Sequence, residues 1–419
     1  VTTPATRPGF TSALVAFRYR NFTLFWFGAL FSNTGTWVQN VTVPYLVFQL
    51  TGNPAWVGVS AFAQLLPLAL FSVVGGSIAD RFQRRQILLV TQTLAAVVAL
   101  GLWGLWVTDR ATLVPVLVLV SIGGVVTGLN IPAWQAFVSE LVPRNVLLNA
   151  VTLNSTQFNA ARAFGPAIGG LVLAQLGVGW AFMINAMSYL VVLAVLAAIA
   201  VPRIVRTGVA EGVWRGLVAS ISYARGHRGL STCIVSVAFL GFLATPVNSL
   251  LVVFAEDVFG VDRLRYGLMG AAIGLGAVIA APLVAGPGTA VRRSLLAGVG
   301  MAVHGAALLG FALAPGYPMA LVMLLTAGAA YLPVAATLNT TLQLQVTEAR
   351  RGKVLALYIT VFTVAIPVGS LIQGALASVI GARTTLAVAS GLFIAVVAVL
   401  AASGWLRSLD TDAHMSSGS

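Results

Sequence analysis

The chain has 419 residues, of which 59% are hydrophobic and only 8% charged, and its formal net charge is +13. A soluble domain of this length needs far more charge to cover its surface, so the composition points to a polytopic membrane protein. The basic residues stand singly or in short clusters between apolar runs and build no basic domain, which excludes nucleic acid as the reason for the charge.

Other classes drop out as quickly. A single cysteine, Cys233, excludes an internal disulfide and a thiolate metal cluster. His227, His304 and His414 lie far apart, so no metal and no other cofactor is expected. Nothing reads as a nucleophile beside a base or as a phosphate loop, so an enzyme is not expected. The first twenty residues carry Arg7, Arg18 and Arg20 without a clean apolar run, and no cleavable signal peptide is expected there. The tail from His414 is left out of the fold reading.

Twelve apolar segments follow one another, at 22–48, 54–79, 86–107, 112–137, 148–174, 178–200, 230–254, 266–288, 294–314, 318–343, 354–379 and 384–406. Each is long enough to cross a core of about 30 Å at about 1.5 Å per residue. They read as helices, because lipid leaves no partner for an open backbone and no period-two alternation is present.

Polar residues recur along these segments at helical spacing. The first carries Asn33, Trp37 and Asn40. The second ends in "GGSIADRFQRR", where Gly76, Asp80, Arg81, Arg84 and Arg85 crowd into one short stretch. That stretch reads either as a positive loop with a neutralising Asp or as a cluster that locks one conformation and releases in another. The fourth segment pairs Asn130 with Trp134. The fifth holds "ARAFGPAIGG", with Gly165, Pro166, Gly169 and Gly170, and a stripe of Ser155, Asn159 and Arg162. Arg162 lies deep within that helix, and no Asp or Glu of the chain stands at a similar depth. It either bonds helix carbonyls and polar side chains as a structural residue or helps bind an anionic or hydrogen-bond-accepting substrate. Asn248 follows in the seventh segment, His304 in the ninth, Asn339 and Gln343 in the tenth, and Tyr358 in the eleventh. As a set they suggest an amphipathic cavity for a mid-sized organic molecule.

Charge placement orients the chain. Arg110, Arg263, Arg265 and Arg383 fall in one set of loops and Arg162 inside a helix, while all other Lys and Arg fall on the opposite side with both termini. The positive-inside rule makes that side cytoplasmic. The chain also repeats itself: "QAFVSE" at 135–140 returns as "QLQVTE" at 343–348, Arg84-Arg85 as Arg292-Arg293, and Gly58 as Gly267, all at nearly one offset. The expected fold is therefore an all-α integral membrane protein, with twelve transmembrane helices in two pseudo-symmetric six-helix bundles. Its parts are an N-terminal bundle over 1–200, a central cytoplasmic loop over 201–229, a C-terminal bundle over 230–407 and a disordered tail over 408–419.

At Gly76, Asp80, Arg81, Arg84 and Arg85 the chain resembles the major facilitator superfamily, although Gln83 stands where that signature has a glycine. The resemblance implies a cytoplasmic gate at these residues, to which Glu140, Glu348 and Arg351 are added at the matching ends of the repeat. Gly165, Pro166, Gly169 and Gly170 look like the exporter motif of that superfamily. "NFTLFWFGALFSNTGTWVQNVTVPYLVFQLTG" and "RRGKVLALY" look like its enterobactin-exporter and drug-efflux branch. What the resemblance implies is a monomeric secondary transporter of a bacterial cytoplasmic membrane. It would export a small siderophore-like or antibiotic-like molecule by alternating access, in exchange for protons. Asp80, Asp257 and His304 are the groups available to carry the proton. The alternative is a lipid or lysophospholipid translocator on the same fold.

Overall fold

The computed structural model describes residues 14–199, 220–286, 288 and 291–411, and all regular structure among them is helical. The long helices are α1 (Arg20–Thr51), α2 (Pro54–Arg81), α3 (Arg84–Val107), α4 (Leu113–Phe137), α5 (Leu147–Gln175) and α6 (Val178–Ala198), then α7 (Arg228–Val258), α8 (Arg263–Ala285), α9 (Arg293–Ala312), α10 (Tyr317–Gln345), α11 (Glu348–Ile380) and α12 (Ala382–Ala402).

Among the described residues, ten of these helices are long and apolar enough to cross a membrane, all but α1 and α5. Those two are not short, at 32 and 29 residues. They fall below the apolar threshold because they carry the polar stripes: Asn33, Thr36, Gln39 and Asn40 in α1, and Asn154, Ser155, Gln157, Asn159 and Arg162 in α5. Side chains of this kind belong on helices that face other helices or water rather than lipid.

Local signals set the helix ends. Gly52 closes α1 in the left-handed region at φ 59°, and the Asn53 side chain then caps α2 by accepting from Ala55 N, with Pro54 in the first turn. Asp262 caps α8 in the same manner, accepting from Arg265 N at 2.8 Å. Within α7 the regular ladder gives way to wider turns at Leu240–Ala244 and Phe254–Val258, on either side of Pro246. The Gln373 amide of α11 donates to the Phe242 and Leu243 carbonyls at 3.0 Å each, so the loosened backbone stays bonded inside the fold.

Helix packing pairs α1 with α5 and α6, α2 with α4, and α3 with α4 and α6. It likewise pairs α7 with α10 and α11, α8 with α10, and α9 with α10 and α12. The closest joins between the first six helices and the last six are α5 on α8 and α2 on α11. Glycines make both joins. A Cβ on Gly170 would lie 2.7 Å from the Gly267 Cα, and one on Gly58 would lie 3.0 Å from the Gly374 Cα. Gly58 and Gly267, linked in sequence by the internal repeat, thus do the same work at the two joins.

Two boundaries differ from the sequence reading. The chain is already helical at 220–225 and α7 begins at Arg228, because Ser231 Oγ and Arg228 bond to Ala224 and Ser403 carbonyls and anchor this end. The expected disordered tail is ordered as far as Thr411. Leu406–Asp410 forms a short 3-10 helix with Leu409 fully buried, and Asp410 accepts from Ser294 N at 2.9 Å. The rest of that tail, most of the central loop and the N-terminal Arg7 lie outside the described residues.

Candidate functional site

The two ends of the molecule differ. At the end away from the arginine clusters, the joins between the first and last six helices are tight. Ala163, Pro166, Gly170 and Leu173 of α5 meet Gly274, Gly270, Gly267 and Arg263 of α8. Arg263 donates from Nε to the Tyr45 hydroxyl at 2.7 Å and from Nη1 to the Leu173 carbonyl at 3.2 Å. Its guanidinium also lies over the Tyr45 ring, 5.3 Å from the centroid. Tyr266 donates to the Val41 carbonyl at 3.1 Å and stacks on Tyr45. Tyr45, Arg263 and Tyr266 form a seal that no motif had singled out. Its one trace in the sequence was Arg263, which is among the few basic residues on the sparsely charged side.

The exporter-like motif supplies the N-terminal side of this seal. Gly165 and Gly169 lie against Trp37 and Val38 of α1, whereas Pro166 and Gly170 lie against Gly267 and Gly270 of α8. One turn of α5 therefore serves two neighbours, which is why small residues recur on two of its faces.

Toward the arginine-rich end the helices part. Ser155 and Asn159 of α5 and Gln343 of α10 are exposed, and Asn339 is half-buried. The candidate gate residues at this end stay on their own sides. Arg84 pairs with Glu140 at 3.2 Å and donates to the Ala136 carbonyl at 2.7 Å. Arg85 donates to the Leu196 and Ala197 carbonyls at the end of α6, at 2.7 and 3.2 Å. These bonds tie α2–α3 to α4 and α6. Asp80 and Arg81 are exposed, Gly76 has open space beside it, and Asp80 has no hydrogen-bond partner among the described residues. Glu348 and Arg351 are exposed on the first turn of α11, and among the described residues no bond joins them to Arg84 or Glu140. Of the expected gate set the structure thus brings together Arg84 and Glu140, while Asp80, Arg81, Glu348 and Arg351 stand exposed.

The polar stripes meet one another more than they meet open space. Asn33 donates to the Gln157 side chain at 3.2 Å, joining α1 to α5, and Asn40 accepts from Gln64 of α2 at 3.2 Å. Asn130 accepts from Thr91 of α3 at 2.8 Å, which directs it at a neighbouring helix. Trp134 packs on Phe25, and Trp37 on Gly165. Asn159 and Asn248 donate to carbonyls of their own helices, and Gln343 bonds Asn339 one turn away. Tyr358 is buried. His304 is buried behind α10, its Nδ1 2.8 Å from the Ala327 carbonyl. Asp257 is exposed at the sealed end.

Arg162 stands where the sealed and open halves meet. Its guanidinium lies over the Tyr331 ring of α10, 5.5 Å from the centroid. This contact crosses between the first and last six helices. The sequence reading did not find Tyr331; the only hint was a tyrosine in the middle of an apolar helix, whose hydroxyl must find a partner when buried.

The chain is thus a multi-pass helical membrane protein whose first and last six helices join tightly through glycines at one end and leave the facing residues exposed at the other. The model of the transmembrane secretion effector family (MFS_3) matches residues 11–418, and the chain belongs to that family. The multidrug efflux pump Tap of Mycolicibacterium fortuitum is 26% identical over 400 residues, 92% of this chain and 96% of that one. The staphyloferrin A transporter of Staphylococcus aureus is 26% identical over 253 residues, 59% of this chain and 62% of that one. The enterobactin exporter EntS of Salmonella choleraesuis is 26% identical over 244 residues, 58% of each. In fold, the chain is similar to a bacterial homologue of the human lysosomal transporter Spinster, solved inward-facing and unoccupied. The TM-score is 0.74 at 14% identity, covering 94% of this chain and 97% of that one.

Proposed function

We propose that the protein exports a small amphipathic organic anion, siderophore-like or antibiotic-like, across a bacterial cytoplasmic membrane by alternating access. Twelve transmembrane helices form two six-helix bundles, 1–200 and 230–407, which rock about the cleft as a monomer. The arginine-rich end, with both termini, is the cytoplasmic one. The conformation described is then the inward-facing one, ready to load cargo.

The observation that carries this reading is Arg162, half-buried at mid-depth and, among the described residues, in contact across the two sets of helices with the Tyr331 ring. A charged side chain at the centre of a membrane costs about 3 kcal/mol or more. A cation–π contact returns about 0.5–2 kcal/mol. The remainder leaves the guanidinium in want of an anion, and no carboxylate of the chain stands at its depth. A carboxylate or catecholate cargo would supply it through charge-assisted hydrogen bonds. The names of the three relatives, which include an efflux pump and an exporter, support outward transport of such molecules.

Protons are the counter-ion of this proposal, with Asp80, Asp257 and His304 as the groups available. The test is binding of catecholate-type anions and of cationic dyes to purified protein, wild type against Arg162→Ala. Anions are expected to bind the wild type and to weaken by about 10- to 100-fold in the variant, at unchanged thermal stability. Equal binding of cations by both forms would turn the reading to broad drug efflux.

A further inference from the structure

We propose that a cavity at the sealed end, on the rim of the α2–α11 seam, is a binding site for a small zwitterion, a molecule with an ammonium and an anionic group on a short apolar spacer. The site shares no residue with the surroundings of Arg162, and binding there does not depend on the export reading above.

The cavity holds about 350 Å³, at the low end of the range of about 300–1,000 Å³ usual for small-molecule sites. Its walls come from four helices. Pro54 opens α2, Val253 and Val258 stand in the last turns of α7, Ala377 in the last turn of α11, and Arg383 in the first turn of α12. Among the described lining residues, Pro54 alone comes from the first six helices. The seam beneath is tight: a Cβ on Gly374 would lie 2.8 Å from the Gly58 Cα and 2.9 Å from the Pro54 carbonyl oxygen. Ala377 follows Gly374 by nearly one turn, so the cavity continues the seam outward. A molecule held there touches both sets of helices. It favours the sealed arrangement by as much as its affinity differs between that arrangement and one in which α2 has left α11.

The charges of the lining set the class of ligand. Asp257 and Arg383 both line the cavity, yet among the described residues no hydrogen bond or ion pair joins them. Charges at this end do pair where they can meet: Asp262 accepts from Arg265 N at 2.8 Å and lies 3.8 Å from its Nε. Asp257 is exposed and has no partner among the described residues. Arg383 is half-buried and held in place, donating from Nη1 to the Ala312 carbonyl at 3.3 Å with its guanidinium 5.6 Å from the centroid of the Phe259 ring. A guanidinium has five N–H donors, so that one bond leaves others for a ligand. A plain cation would meet like charge at Arg383, and a plain anion would meet it at Asp257. A zwitterion answers both with charge-assisted hydrogen bonds, and the aliphatic walls from Val253, Val258 and Ala377 suit the methylenes between its charges.

The test is calorimetric titration of the purified full chain with 4-aminobutanoate, 5-aminopentanoate and 6-aminohexanoate, beside pentylamine and pentanoate, which keep one charge each. At least one zwitterion is expected to bind about ten-fold or more tightly than either single-charge analogue. Asp257→Asn and Arg383→Gln should each weaken it by about ten-fold. Pro54→Trp, which fills the cavity from the α2 side, should abolish binding. Asp257 makes no bond, so the melting of Asp257→Asn without ligand should match wild type and separate lost binding from lost folding. No binding by any of the three zwitterions, equal binding of an analogue, or binding unchanged in Asp257→Asn or Pro54→Trp overturns the site. The same titration in nanodiscs of phosphatidylethanolamine or of phosphatidylglycerol tells where such a group comes from. Weaker binding in phosphatidylethanolamine alone supports the site with a lipid headgroup as competitor, and equal binding in both supports it with a solute of the outer water. Loss of binding in both lipids overturns it.

Discussion

Arg162 shows how a single residue acquires meaning from its partner. A lone arginine in a membrane helix needs a protein, water or ligand partner. Here the partner is an aromatic face from the opposite set of helices, so the contact both shelters the charge and bridges the cleft. The ring rather than the hydroxyl is the larger part of that attraction. Tyr331→Phe should therefore keep thermal stability close to wild type, within about 1 kcal/mol. Tyr331→Leu should lose about 1–2 kcal/mol through the lost cation–π contact. Melting of the detergent-solubilised protein checks the pair, and equal effects of Phe and Leu would place the attraction in the hydroxyl. At the other extreme of depth, Arg84 and Arg85 look like a surface charge cluster in sequence. In the fold they serve as ties, one to Glu140 and the Ala136 carbonyl, the other to the end of α6.

Elements meet here through absent side chains. The α5–α8 and α2–α11 seams depend on Gly170 against Gly267 and Gly58 against Gly374, where an added Cβ would lie within about 3 Å of another helix's backbone. Backbone cannot move aside as a flexible side chain can. Gly267→Val should consequently prise the sealed end open and shift the protein toward the opposite conformation. Spin labels on the outer ends of α1 and α8 should then move apart by several Å, roughly the width of an added side chain. An unchanged distance would mean that the seal rests on Arg263, Tyr45 and Tyr266 rather than on the glycines. The loosened turns of α7 are a second element-scale feature. Gln373 of α11 holds the carbonyls they free, which keeps an irregular helix affordable in a dry interior.

At the scale of the whole molecule, sealed and open ends make a prediction about access. In a Cys233→Ser background, Ser155→Cys should react with a membrane-impermeant maleimide in inside-out vesicles, and Val41→Cys should not. Labelling of Ser155→Cys in right-side-out vesicles alone would reverse the orientation proposed from the arginines. Much of this architecture was legible beforehand. The apolar segments, the polar character of the first and fifth helices, the close packing of the glycines at 165–170 and the mid-helix place of Arg162 all follow from composition and helical spacing. The seal was not legible, because Tyr45, Arg263 and Tyr266 lie on different helices and none is unusual at its own position. Nor was the exposure of Glu348 and Arg351, since they read the same in sequence whether or not they touch the opposite end.

By itself, the sequence determined what each segment must be: a helix by length and apolarity, and polar or apolar along its faces by the stripe it carries. These are properties of one segment against its solvent, and a local run of residues is enough to state them. Only the tertiary structure decided which partner Arg162 takes, which end is closed, and that the shared face of α5 and α8 is covered along one half and bare along the other. Each of those depends on distances between helices remote in the chain, and the same residues satisfy periodicity and charge in either arrangement.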